Sequence, residues 1–96
     1  SGKSVDTAVR DFLTDAGYGE YFGHGLGHSL GLEIHENPRL SQASTCEALK
    51  PNMLVTVEPG VYIPDWGGLR IEDTVLVTAD GCEPLTQSDK SFIEIV

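Results

Sequence analysis

Ninety-six residues allow at most one small domain, which hides only about 60–65% of the surface its unfolded chain exposes. Six basic against fifteen acidic residues give a formal charge of -9, which opposes a phosphate backbone and leaves no Lys/Arg cluster, so nucleic acid is excluded as a partner. The scattered acids read as a solvated surface with some pull on cations, and no apolar run or basic leader suggests a membrane, so a cytoplasmic protein is expected.

Val5, Ala8, Val9, Phe12, Leu13 and Ala16 recur at three- and four-residue steps, predicting an amphipathic helix over 3–16. Gly17 is placed to end it in a left-handed turn, and either Ser4 with Asp6 or Ser1 caps its start. Six glycines between Gly17 and Gly31 rule out a helix there and suit close backbone approach. Leu30, Leu32 and Ile34 alternate with Gly31, Glu33 and His35, which predicts a strand emerging from the glycines, with His24 and His28 on one face. For His35 to join His28 the chain must bend or bulge between them.

Asn37-Pro38 reads as a break, with Arg39 to Ala48 a polar connection and Lys50-Pro51-Asn52 a second turn. A strand over 53–57 follows, ended by Pro59-Gly60 and continued in displaced form by 61–63. Leu69 and Ile71 alternate with Arg70 and Glu72, leading into the apolar run 74–77. Ala79-Asp80-Gly81 predicts a hairpin returning through Cys82 to Leu85. Phe92, Ile93 and Ile95 are expected to add an edge strand or to pack beneath the sheet. Cys46 and Cys82, with thirty-five residues between them, lack a metal or redox spacing and read as ordinary thiols.

The chemistry concentrates in few residues. All three histidines, His24, His28 and His35, fall within twelve positions. His28 offers a neutral nitrogen to a divalent metal, although a histidine among glycines is as readily a turn or hydrogen-bonding residue. Glu58 and Glu72 occupy otherwise apolar strand positions, where a carboxylate needs a partner, and could bridge ions about 3.5–4 Å apart. The alternative is that both face solvent on half-exposed strands. Arg70 either fixes the Glu72 carboxylate or forms a plain surface ion pair. Phosphate-loop, dinucleotide and nucleophile-elbow patterns are all missing.

The runs Gly-His-Gly-Leu-Gly-His-Ser-Leu-Gly-Leu-Glu-Ile-His-Glu, Thr-Val-Glu-Pro-Gly-Val-Tyr-Ile-Pro and Gly-Gly-Leu-Arg-Ile-Glu-Asp resemble those of the pita-bread metallopeptidases. Within these, the resemblance is to the Xaa-Pro dipeptidases (prolidases) and Xaa-Pro aminopeptidases. It implies an α+β fold, the C-terminal portion of a creatinase/aminopeptidase-like domain: one N-terminal helix followed by a mainly antiparallel curved sheet. It also implies two divalent ions, manganese first with cobalt or zinc as alternatives, a proline-containing peptide substrate and a homodimer at full length. His28, Glu58 and Glu72 match metal ligands, Glu58 also assisting proton transfer. His35 matches a histidine that meets the tetrahedral intermediate, His24 an outer active-site histidine, and Arg70 an arginine behind the ligands. The family's two aspartate ligands lie in an upstream half and have no match here, because Asp6, Asp11 and Asp15 sit on the helix in the wrong local sequence. The resemblance thus implies that 1–96 is the C-terminal part of a catalytic domain, without the N-terminal domain or the aspartate-bearing half, and that alone it is inactive and binds metal weakly or not at all.

Three readings compete. Methionine aminopeptidases resemble the chain less, since their Gly-His-Gly-Ile-Gly run places the ligand histidine first, and creatine-cleaving relatives fit less well still. A non-catalytic peptide-binding relative would be expected to have lost one of His28, Glu58 and Glu72. An independent small metal-binding domain would need these residues to fold and bind metal by themselves.

Overall fold

The computed structural model describes residues 1–95. Helix α1, Gly2–Asp15, starts where the Ser1 hydroxyl accepts from the Ser4 N–H at 3.0 Å, within a reciprocal Ser1–Ser4 capping box. Of the two starts the sequence left open, the outer one is used. Gly17, at φ 90°, carries the chain away from the helix in the left-handed region. Val5, Val9 and Leu13 pack on the core, whereas Phe12, on the edge of the same stripe, is exposed.

After a single 3-10 turn at Gly19–Tyr21 come seven strands: β1 Gly27–Ser29, β2 Glu36–Leu40, β3 Leu54–Val57, β4 Gly60–Ile63, β5 Gly67–Arg70, β6 Asp73–Val77 and β7 Cys82–Pro84. Five form an open sheet in the order β2-β1-β3-β6-β7, and β4 with β5 makes a separate ribbon. Every pairing is antiparallel. The architecture is therefore α+β, an N-terminal helix against an open antiparallel sheet. Phe22, Leu26, Leu40, Val55 and Val75 form the buried core, as thin as the chain length requires.

Several expectations need correction. The strand predicted from Leu30 through His35 does not form. β1 stops at Ser29, and 31–35 is a tight excursion in which the Gly31 N–H donates to the Glu33 carbonyl and the Glu33 N–H to the Glu36 carboxylate. These bonds satisfy the backbone locally, and Leu32 and Ile34 point into solvent. The supposed break at Asn37-Pro38 instead lies inside β2. That strand is at the sheet edge, where a residue without an N–H costs no ladder bond. Phe92, Ile93 and Ile95 neither extend the sheet nor pack beneath it but are exposed. The segment is tied down earlier, by Lys90 to Asp73 at 2.9 Å and by the Thr86 hydroxyl donating to the same carboxylate.

The run from Leu69 to Val77 is not one strand either, and its interruption builds the site. Leu54–Val57 pairs with 73–76 in the large sheet, and Gly60–Ile63 pairs with 67–70 in the ribbon. The same antiparallel pair of chains thus changes sheets at Glu58-Pro59 on one side and Ile71-Glu72 on the other, stitched by the Ile71 N–H to the Pro59 carbonyl at 3.3 Å. Proline, which cannot donate to a ladder, marks the crossing.

Candidate active site

Glycine permits the close approach that seats the histidines. A Cβ on Gly27 would lie 1.8 Å from the Thr56 carbonyl oxygen, so only a residue without a side chain lets β1 lie here against β3. The His28 N–H then donates to the buried Thr56 hydroxyl at 3.0 Å. The register of β1 on β2 slips between His28 and Ser29, pairing His28 with Arg39 but Ser29 with Glu36. With the 31–35 excursion, this bulge returns His35 to His28, and their ring centroids lie 4.4 Å apart. The bend required by the sequence is present.

The His28 Nδ1–H donates to the Ser29 carbonyl at 2.9 Å, a bond that leaves Nε2 as the free lone pair of the neutral ring. That Nε2 lies 3.5 Å from Glu58 Oε2, both side chains being largely buried. Two acceptors facing each other require a cation between them, either a proton or a metal ion. Glu72 meets Glu58 at the sheet crossing. Glu72 is exposed by surface area, yet partial desolvation, then the charge and shared hydrogen bond of Glu58, push its carboxyl above its usual range, against the pull of Arg70 and His28. One nitrogen and two crowded carboxylates are thus a donor set suited in kind to a divalent ion. They are not drawn together into a complete site: among the described residues no group of three or more His, Cys, Asp or Glu side chains is placed to hold an ion.

His24 does not share a strand face with His28, because it precedes β1. Its Nδ1–H donates to the Gly25 carbonyl at 2.6 Å, and its ring meets Phe22 edge-on at 5.1 Å and Tyr62 at 5.8 Å. Its Nε2 is buried with no hydrogen-bond partner among the described residues, an orphan lone pair that a donor from outside the chain would satisfy. Arg70 turns out to stand over Glu58, 3.7 Å from Oε1, with its guanidinium 5.7 Å from the Tyr62 ring centroid. His24, His28, His35, Arg39, Glu58 and Arg70 line one open cleft of about 320 Å³. Glu72 adjoins it through Glu58.

Tyr62 and Arg39 escaped the sequence reading. Tyr62 carried a signal, its place just after Glu-Pro-Gly, whereas Arg39 was hidden in a segment read as a loop. Arg10 and Asp6 escaped as well: Asp6 is fully buried, although it sits beside the apolar stripe of α1 rather than in it.

The sequence profile of Metallopeptidase family M24 matches residues 1–79. An uncharacterized peptidase of Bacillus subtilis is 50% identical over 93 residues, covering 97% of this chain and 26% of its own length. Among solved structures, an Xaa-Pro dipeptidase from Bacillus anthracis is 54% identical with a TM-score of 0.92, over 96% of this chain and 26% of that one. An X-Pro aminopeptidase from Thermotoga maritima is 46% identical with a TM-score of 0.88, over 94% and 25% respectively. The chain therefore spans about a quarter of the length of the relatives it matches.

Proposed function

Because the chain belongs to metallopeptidase family M24, we propose that it is the C-terminal part of the catalytic domain of a dinuclear metallopeptidase cleaving peptide bonds next to proline. The observation that carries this reading is the pairing of His28 with Glu58, and of Glu58 with Glu72, at a cleft that His24 and His35 also line. The names of the similar proteins, an Xaa-Pro dipeptidase and an X-Pro aminopeptidase, agree with it.

In this reading His28, Glu58 and Glu72 hold metal, and two aspartates outside these residues complete the set. When bound, the paired ions, manganese before cobalt or zinc, lower the pKa of water and polarise the scissile carbonyl. The protein groups do the rest. Glu58, held by Arg70, accepts the proton released on attack and passes it to the leaving amine. His35 donates to the oxygen on which charge develops. His24, with Nδ1 committed to Gly25, presents Nε2 as an acceptor and steadies an N–H of the peptide on the leaving side. In the whole protein this chemistry belongs to a cytoplasmic homodimer.

A peptide panel on the complete protein tests the assignment. Hydrolysis of Xaa-Pro dipeptides, or of longer peptides with proline second, is expected, and Glu58→Gln should abolish it. Preference for an N-terminal methionine without proline, cleavage of creatine, or peptide binding without turnover would each overturn the reading.

A further inference from the structure

An ion pair on helix α1 reaches the site without lining it. Asp6 is fully buried and its two oxygens accept four hydrogen bonds. Oδ1 takes Arg10 Nε at 3.0 Å and Gln42 Nε2 at 2.7 Å; Oδ2 takes Arg10 Nη2 at 3.2 Å and the Leu26 N–H at 3.0 Å. Arg10 then spends its outer nitrogens on backbone, Nη1 on the Phe22 carbonyl at 2.9 Å and Nη2 on the His24 carbonyl at 3.0 Å. Its guanidinium also covers the Phe22 ring at 4.3 Å.

Alternate residues 22, 24 and 26 are thereby fixed to one point on the helix. The segment has no stiffness of its own, since Gly23 and Gly25 separate those residues. Leu26 passes the restraint onward: its N–H is held by Asp6 and its carbonyl accepts the Glu58 N–H at 2.8 Å. His24 is thus gripped at its own carbonyl, Glu58 one residue removed, and His28 follows two residues along.

We propose that Asp6 and Arg10 form a positioning clamp that sets the His24 ring and the Glu58 backbone in the catalytic arrangement without touching substrate. This rests on the peptidase reading above. The clamp defines two classes of variant. Arg10→Lys keeps the charge opposite Asp6 but cannot span both carbonyls. Gln42→Ala removes a donor to Asp6 that is bonded otherwise only to Thr7, on the helix itself, so it weakens the fold and leaves the glycine segment tethered.

The test uses the complete protein with labelled histidine, read by imidazole NMR, steady-state kinetics and thermal unfolding. Arg10→Lys is expected to shift the His24 resonances and to lower kcat by on the order of 100-fold, as for a small misplacement of a catalytic group. Gln42→Ala should lower the melting temperature while leaving kcat and the His24 resonances unchanged. If Arg10→Lys does not fold, Asp6→Asn replaces it, with the same shift expected. Unmoved His24 resonances in the folded clamp variant, or an equal loss of kcat in Gln42→Ala, would overturn the clamp. The NMR arm decides even if the protein cleaves no peptide, so failure of the clamp and failure of the peptidase reading remain distinguishable.

Discussion

Glu72 illustrates how a single carboxyl is set by its surroundings. Partial desolvation disfavours its charge first, and the neighbouring Glu58 adds repulsion and a shared hydrogen bond, so the proton is held above the ordinary range. Arg70 and His28 oppose this but do not cancel it. The sign of a substitution follows. Glu58→Gln removes the like charge, so the Glu72 pKa should fall toward the ordinary carboxylate range in metal-free protein, measured by carbon NMR titration of the labelled carboxylate. A pKa that does not move would mean that Glu58 plays no part in setting it. The same crowding makes a divalent ion a better neighbour than a second carboxylate, because a cation reverses the repulsion that a proton only relieves.

Among the elements, β1 is only three residues long and closely constrained. Gly27 admits no side chain against Thr56, and His28 relies on that proximity for its bond to the Thr56 hydroxyl. Gly27→Ala should therefore force β1 off β3 and destabilise the complete protein by about 3 kcal/mol, measured by urea unfolding. A cost within about 0.5 kcal/mol, the ordinary surface range, would contradict the packing described. Such local necessities were partly legible in the sequence. The glycine density announced a close approach, the seven-residue gap from His28 to His35 demanded a bend, and the apolar period gave α1. The rest was set by tertiary pairing. Leu32 and Ile34 alternate like a strand, yet have no neighbour to pair with once Glu36 has turned the chain, and Pro38 reads as a breaker unless β2 is known to be an edge. Glu58 and Glu72 could be picked out by their apolar company, but their meeting depends on two sheets exchanging a ribbon, which no local pattern encodes.

The whole molecule carries more surface than its mass calls for. A compact 10.3 kDa monomer exposes about 5,400 Å², whereas this chain exposes 6844 Å². Its radius of gyration, 14.1 Å, exceeds the roughly 12.5 Å of a compact domain of this length. Large apolar side chains contribute to it: Trp66, Leu69, Phe12 and Phe92 are all mostly exposed. Trp66 and Leu69 border an open groove with Tyr18, Val61 and Ile63. The chain spans about a quarter of the length of the relatives it matches, and the proposed function makes it one part of a larger catalytic domain. The central claim is that His28, Glu58 and Glu72 are ligands of a two-metal centre completed elsewhere in that protein, and metal stoichiometry tests it most directly. Elemental analysis of the complete, manganese-loaded protein should find two ions per chain, and His28→Ala or Glu72→Gln should abolish paired binding. Two tightly held ions in either variant, with full activity, would contradict it.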